Sequence, residues 1–277
     1  MERKILIPTD FSKNAWNAIV YALKLYANET CSFYLLNSIK IKGSTMSAFS
    51  NKLQEKVTEN ASEELIKLKK RLDKEHFNNK HNFHIILSRQ ELKNSIETAI
   101  KKHKIDLVIM GTKGASGVKE LFFGSNTVHI ISKMKLCPIL TVPEDCGYNT
   151  PKQIAFPTDF NHFYEEELSP IKEIANLYNS KIRVFHISEE ESLKSCQNYN
   201  LSMLKVYLED HPHKFDWIPN YTKKTYEINE FLKDHNISIL AMINYKHSFT
   251  EDIIKEPVIK NIGFHPIVPF LVIPSQN

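Results

Sequence analysis

The chain has 277 residues, of which 42% are hydrophobic and 25% are charged, a composition typical of a globular protein with two modest domains. No apolar run reaches the roughly 18 residues that a membrane span requires, and the first residues lack the features of a secretory signal. We therefore expect a cytoplasmic protein that does not cross a membrane. Residues 1–146 carry 23 Lys and Arg against 15 Asp and Glu, whereas residues 147–277 carry 13 against 17, so the basic first half suits an anionic ligand.

Short apolar strands alternate with amphipathic helices through the first half. The expected strands are 4–8, 32–38, 83–87, 107–110 and 139–142. The expected helices are 14–27, 52–74, 92–102 and 126–132, and Ser12 is placed to cap the first of them. This alternation predicts an α/β fold, in which a parallel five-stranded sheet carries helices on both faces through right-handed crossovers.

An internal repeat indicates that this fold occurs twice. Residues 4–12 (KILIPTDFS) and 153–161 (QIAFPTDFN) share Pro-Thr-Asp-Phe, and residues 122–143 align with 253–274 so that two prolines coincide. We expect two tandem, doubly wound, Rossmann-like domains of the nucleotide-binding type, residues 1–146 and 147–277. In the second, the expected strands are 154–156, 182–187, 237–243 and 270–273, the expected helices are 165–177 and 228–234, and residues 188–226 are predicted to be irregular.

Glycines are concentrated at one point of the first half. Four of the seven in the chain fall within residues 111–124, directly after a predicted strand and before a predicted helix. Glycine lets a ligand approach the main chain closely, and amides near a helix N-terminus favour an anion. Asp10 ends the first strand and is expected at the same rim of the sheet. The segment predicts a phosphate-binding loop, although the glycines could serve turns alone.

The spacing Gly111-x2-Gly114-x9-Gly124-Ser125, with Pro8-Thr9-Asp10 and the run 106–111, resembles the ATP-binding signature of the universal stress protein family. The resemblance covers the whole chain as two family domains in tandem. It implies a stress-response protein that binds ATP or a related adenine nucleotide, with or without Mg²⁺, in its first half. It also implies that Asp10 lies near the base and ribose, that Ser38 lies beside the adenine, and that the loop and the residues after it hold ribose and phosphates. The candidate site residues are Pro8, Thr9, Asp10, Ser38, Gly111, Thr112, Lys113, Gly114, Gly124, Ser125, Asn126 and Thr127.

The second half departs from this signature. Residues 243–249 contain no glycine, and Glu256-Pro257 stands near the place of Gly124-Ser125. We therefore expect that this half does not bind ATP in the manner of the family. The resemblance implies that it acts as a built-in dimer partner, an intramolecular pseudo-dimer joined through the last strands 139–142 and 270–273. A protein partner of unknown identity is expected, and further homodimerisation stays open.

Several other classes of site are disfavoured. The chain contains no P-loop, and no GxGxxG follows the first strand. Its four cysteines form no metal-binding pattern. The basic residues of the stretch 67–74 are interleaved with Glu63, Glu64, Asp73 and Glu75, which argues against a nucleic-acid groove. The leading hypothesis is a nucleotide-dependent binding and signalling module with no catalytic residue and no metal ligand assigned.

Two alternatives stay open. One is a slow ATPase or nucleotide-dependent transferase at the same site, in which Lys113 neutralises phosphate charge and Asp10 binds Mg²⁺ or positions water. The other is a scaffold that binds no nucleotide.

Overall fold

A computed structural model describes residues 2–39, 48–112, 124–188, 193–219, 224–245 and 267–275. These residues form two compact units, one within residues 2–144 and the other within residues 145–275. None of the described helices is both long and apolar enough to cross a bilayer.

The first unit is a parallel five-stranded sheet in the order β3-β2-β1-β4-β5. Its strands are β1 (Arg3–Pro8), β2 (Cys31–Ser38), β3 (His81–Ser88), β4 (Leu107–Gly111) and β5 (Ile139–Val142). Its helices are α1 (Lys13–Leu25), α2 (Ala48–Glu75), α3 (Leu92–His103) and α4 (Ser125–Lys133). Every residue of β4 and β5 is buried, which is why these strands read as unbroken apolar runs.

Two features of this unit position the candidate site. Ser12 caps α1 as predicted, because its Oγ accepts a hydrogen bond of 3.2 Å from the amide of Ala15. The chain order reverses between β1 and β4, which are neighbours in the sheet although two strands and three helices separate them in sequence. Open α/β sheets form a crevice at the carboxyl ends of their strands where such a reversal occurs.

The second unit repeats the same strand order, β8-β7-β6-β9-β10, and is also parallel throughout. Its strands are β6 (Gln153–Pro157), β7 (Lys181–Ser188), β8 (His213–Pro219), β9 (Ile239–Asn244) and β10 (Phe270–Pro274). Its helices are α5 (Ser169–Tyr178), α6 (Ser195–Tyr207) and α7 (Lys224–Asp234), and a 3₁₀ turn at Glu166–Leu168 precedes α5. The duplicated α/β fold predicted from the repeat is confirmed.

The prediction of an irregular segment at 188–226 is wrong, since this stretch contains both α6 and β8. The pattern was weak because only Leu201 and Leu204 of α6 are buried, among Ser, Asn and Gln. Strand β8 lies at the edge of the sheet and Pro219 is its last residue, a position where proline is tolerated because its missing amide does not interrupt the pairing with β7.

Candidate functional site

A cleft of about 430 Å³ opens in the first unit where β1, β2 and β4 end. The start of α3 and the first turns of α4 complete its walls. Its volume lies in the range of sites that take small molecules or cofactors, roughly 300–1,000 Å³. The sheet reversal between β1 and β4 therefore produces a concave site at the rim that the sequence indicated.

Seven of the twelve candidate residues line this cleft: Pro8, Thr9, Asp10, Ser38, Gly111, Asn126 and Thr127. Three more stand next to it, because the amide of Gly124 donates to the carbonyl of Thr112 at 2.7 Å and Ser125 is the first residue of α4. Lys113 and Gly114 lie outside the described residues. The structure thus brings the ends of β1, β2 and β4 and the start of α4 around one cavity.

The Thr-Asp-Phe turn after β1 is held by its own side chains. The amide of Phe11 donates to Thr9 Oγ1 at 3.1 Å, and the amide of Ser12 donates to Asp10 Oδ1 at 3.1 Å. Phe11 adopts a left-handed backbone with φ of 64°, which is unusual for a bulky residue and needs such support. Thr9 is buried and stabilises the turn, whereas Asp10 presents its carboxylate at the exposed rim.

Asn37, which the sequence did not indicate, supports the same turn from the neighbouring strand. Its buried side-chain amide donates to the carbonyl of Thr9 at 2.8 Å. Next to it, Ser38 Oγ donates to the carbonyl of Gln90 at 2.6 Å, which ties the end of β2 to the segment before α3. An asparagine at a strand end gives no distinctive sequence signal, so this role becomes visible only in the pairing of β1 with β2.

Two helix N-termini lie at the cleft. Neither α3 nor α4 has a side-chain cap, and residues from the first turn of each line the cavity. The uncapped amides and the positive end of each helix dipole favour an anion. Thr127 is buried, and its Oγ1 donates to the carbonyl of Gly111 at 3.2 Å, which fixes α4 to the end of β4. The N-terminus of α3 and its residues Glu91 and Lys93 were not foreseen from the sequence.

Gly111 is glycine for a reason that involves no ligand. A Cβ at this position would lie 2.8 Å from Cγ of Asn14 and 2.9 Å from both terminal atoms of that side chain. Cβ atoms essentially never approach other non-bonded atoms this closely, and Asn14 is buried in α1. The packing of the buried Asn14 side chain against β4 therefore already disfavours a side chain here.

The second unit repeats the turn but not the cavity. Thr158 Oγ1 accepts from the amide of Phe160 at 2.9 Å, Asp159 Oδ1 accepts from the amide of Asn161 at 2.9 Å, and Phe160 has a φ of 56°. His186 takes the place of Asn37, with its Nδ1 2.7 Å from the carbonyl of Thr158. The space above this turn, among the described residues, measures about 50 Å³.

Aromatic side chains of the second unit fill that space. The rings of His162 and Tyr245 stack with centroids 3.8 Å apart and an interplanar angle of 7°. Tyr164 hydrogen-bonds Thr158 Oγ1 at 2.6 Å, and the hydroxyl of Tyr245 donates to the carboxylate of Glu167. Burial, together with this hydrogen bond, raises the pKa of Tyr245 well above its usual value, which keeps the phenol protonated. The closed site is therefore a packed, hydrogen-bonded cluster.

Within the described parts of both units, no group of three or more His, Cys, Asp or Glu is arranged to hold a metal ion.

Comparison with known proteins decides the family. A model of the universal stress protein family matches residues 1–143, slightly more than half of the chain. The chain belongs to the universal stress protein family. Over 159 residues it is 30% identical to universal stress protein MJ0577 of Methanocaldococcus jannaschii, a match that covers 51% of this chain and 95% of the relative. It is 29% identical over 143 residues to universal stress protein MJ0531 of the same organism, covering 50% of this chain and 81% of that protein.

The crystal structure of a universal stress protein from Archaeoglobus fulgidus extends the comparison to both units. It superposes with a TM-score of 0.72 at 16% sequence identity and covers 98% of each chain. At this identity the likeness shows the fold, which agrees with the α/β architecture of both halves.

Proposed function

We propose that the first unit binds ATP or a related adenine nucleotide in its cleft, and that the protein acts as a nucleotide-dependent binding module in the stress response. The observation that carries this proposal is the contrast between two equivalent positions of one duplicated fold. Both are built on the same Pro-Thr-Asp-Phe turn, yet one encloses about 430 Å³ and the other about 50 Å³. The turn is the same in both halves, and among the described residues the space that could hold a ligand lies above the first.

The chemistry of the open cleft fits a nucleotide. The carboxylate of Asp10 at the rim is an acceptor suited to ribose hydroxyls, and Met110 and Ala15 supply apolar surface for a base. The uncapped start of α4, with Asn126 and Thr127, suits phosphate oxygens. We propose that Mg²⁺, where it takes part, accompanies the phosphates.

Calorimetry with ATP tests the assignment. Gly114→Val is expected to reduce affinity by at least tenfold, since branched methyls would obstruct a phosphate approaching main-chain amides. Gly147→Val provides the matched control, because a Cβ at Gly147 meets nothing within 4 Å. Equal ATP affinity of the two variants would count against the phosphate-loop hypothesis.

The closed second site sets the stoichiometry. We expect one nucleotide per chain, because His162 and Tyr245 occupy the space that a base or ribose would need. Two equivalent sites in a titration would contradict this reading of the second unit.

Turnover distinguishes a binding module from an enzyme. We expect bound ATP to persist when the protein is incubated with ATP and magnesium. Asp10→Asn is the informative variant, because an amide oxygen can still accept from the amide of Ser12 and preserve the turn while the charge is removed. Multiple turnovers that this variant abolishes would instead favour the slow ATPase or transferase.

A further inference from the structure

The outer edge of β3 is an unpaired strand with an open groove along it. Within the described part of the chain, β3 pairs only with β2, through all eight of its residues from His81 to Ser88. On its other side the amide of His81 donates to the carbonyl of Asn78 at 2.9 Å, and the outward main-chain groups of Phe83, Ile85 and Leu87 have no partner among the described residues. Such an edge is a template to which another extended chain can add.

The groove is basic. It measures about 940 Å³ and runs between β3, α2 and the C-terminal part of α3, and none of its described lining residues is Asp or Glu. Arg89 and Lys102 line it, are exposed, and form no hydrogen bond or ion pair with any described residue. Lys69 also lines it but pairs with Asp73 at 2.7 Å. Two uncompensated cations therefore flank the free strand edge.

Aromatic and apolar groups form the remaining wall. The ring of Tyr34 stacks on His84 at 4.8 Å and contacts His103 at 4.7 Å, while the side chain of Ile85 is 40% exposed. Partial burial lowers the pKa of His103, and the neighbouring Lys102 and His84 lower it further. A partner that fits must offer negative charge together with an extended main chain.

We propose that this groove is a docking site for an acidic, extended segment of a partner protein, which adds as a strand to β3 and places carboxylates beside Arg89 and Lys102. Charge complementarity and the free hydrogen-bonding edge both favour such a segment. A nucleic acid would use the cations but would leave the main-chain edge of β3 unpaired.

The groove shares a wall with the nucleotide cleft. Arg89 and Gln90 line the groove, Glu91 lines the cleft, and the hydroxyl of Ser38 in the cleft donates to the carbonyl of Gln90. This shared wall predicts that nucleotide binding in the cleft and binding of the acidic segment in the groove are coupled, a prediction that rests on the proposed function. A nucleotide that orders the segment from Ser88 to Glu91 is expected to change the affinity for the acidic segment by about fivefold or more.

The test uses the full chain without nucleotide and a fluorescein-labelled peptide of four Glu-Val repeats, followed by anisotropy at low salt. Arg89→Glu and Lys102→Glu are each expected to weaken binding by about tenfold. Lys133→Glu, the same change at an exposed lysine outside the groove, is expected to leave binding within about twofold. A Lys-Val peptide, and a Glu-Val peptide with prolines that remove main-chain donors, are expected not to bind.

Three results would overturn the proposal: unchanged binding by the two groove variants, equal binding of the Lys-Val peptide, or tighter binding of a single-stranded RNA oligomer than of the acidic peptide. The first result would mean that the cations bind no acidic segment and serve only to prevent the edge of β3 from pairing with other chains. Repeating the titration with saturating ATP tests the coupling separately. ATP that binds without changing peptide affinity removes the coupling alone, whereas failure of ATP itself to bind contradicts the proposed function and leaves the groove standing.

Discussion

Replacing Gly111 with alanine is expected to destabilise the first unit by about 1–3 kcal/mol, the usual cost of forcing an extra carbon into a packed site. The added Cβ would lie 2.8–2.9 Å from three side-chain atoms of Asn14, whose exposed fraction is only 4%. Because Asn14 is enclosed, the conflict must be relieved by moving α1 or rotating a buried amide. For a domain of this size, such a loss lowers the melting temperature by roughly 2–4 °C per kcal/mol.

The two tryptophans allow each unit to be followed separately. Trp16 lies on α1 of the first unit and Trp217 on β8 of the second. In a Trp217→Phe background, urea unfolding followed by indole fluorescence therefore reports on the first unit, where Gly111→Ala should lower the midpoint. In a Trp16→Phe background the same substitution should leave the transition of the second unit in place.

A double-mutant cycle isolates the contact. Asn14→Ala removes the atoms that the new Cβ would meet, so Gly111→Ala should cost far less when Asn14 is already alanine. Equal costs in both backgrounds would refute the packing explanation and would leave a ligand as the reason for glycine at 111.

Three further outcomes are expected. Asn37→Ala should cost about 1–3 kcal/mol in the Trp16 transition, because the carbonyl of Thr9 loses a buried donor; an unchanged midpoint would show that the turn stands without it. In the second unit, the guanidinium of Arg183 contacts the carboxylate of Asp216 at 2.8 Å, and Arg183→Met should cost about 1.5–3 kcal/mol at neutral pH, because Lys214 still pairs with Asp216 at 3.0 Å. Burial opposes ionisation of Asp216, yet hydrogen bonds and cations lower the pKa of its carboxyl overall. The ionised carboxylate therefore stabilises the fold fully above its unfolded pKa of about 3.9, and this stabilisation is lost as the pH falls through the folded pKa. The difference in unfolding free energy between wild type and Arg183→Met, measured by urea unfolding, should therefore become smaller below about pH 4. A difference that does not change with pH would argue against the ion pair. Finally, Cys196 is exposed and should be the fast-reacting thiol in a native thiol titration, because burial raises the pKa of two other cysteines to about 12; several fast thiols would contradict this.

The strands that run through the core were predictable because their composition reflects burial on both faces. The segment 139–142 was located at its observed bounds, and the prediction for β1 missed only Arg3. Edge elements were harder to foresee. Strand β8 and helix α6 bury few side chains, so polar residues interrupt their patterns, and backbone pairing with β7 determines the strand.

The candidate site likewise contains residues that the sequence predicted and residues that it did not. Asp10 and the start of α4 could be proposed from a strand end and a glycine pattern, because both mark the rim of a parallel sheet, whereas Ser38 was implied only by the resemblance to the family. Asn37 and the N-terminus of α3 could not, since nothing local distinguishes them until β1, β2 and β3 are placed side by side.

The sequence by itself determined that one α/β domain occurs twice, since a repeated Pro-Thr-Asp-Phe and matching strand ends need no coordinates to be recognised. The missing glycines also predicted that the second copy does not hold a nucleotide, but only the tertiary structure showed how its space is filled. Residues far apart in sequence, such as His162 and Tyr245, meet only when β6 and β9 pair, and their stacked rings then fill a space that its counterpart in the first unit leaves open. Volume is a property of packed side chains in three dimensions, and no pattern along the chain encodes it directly.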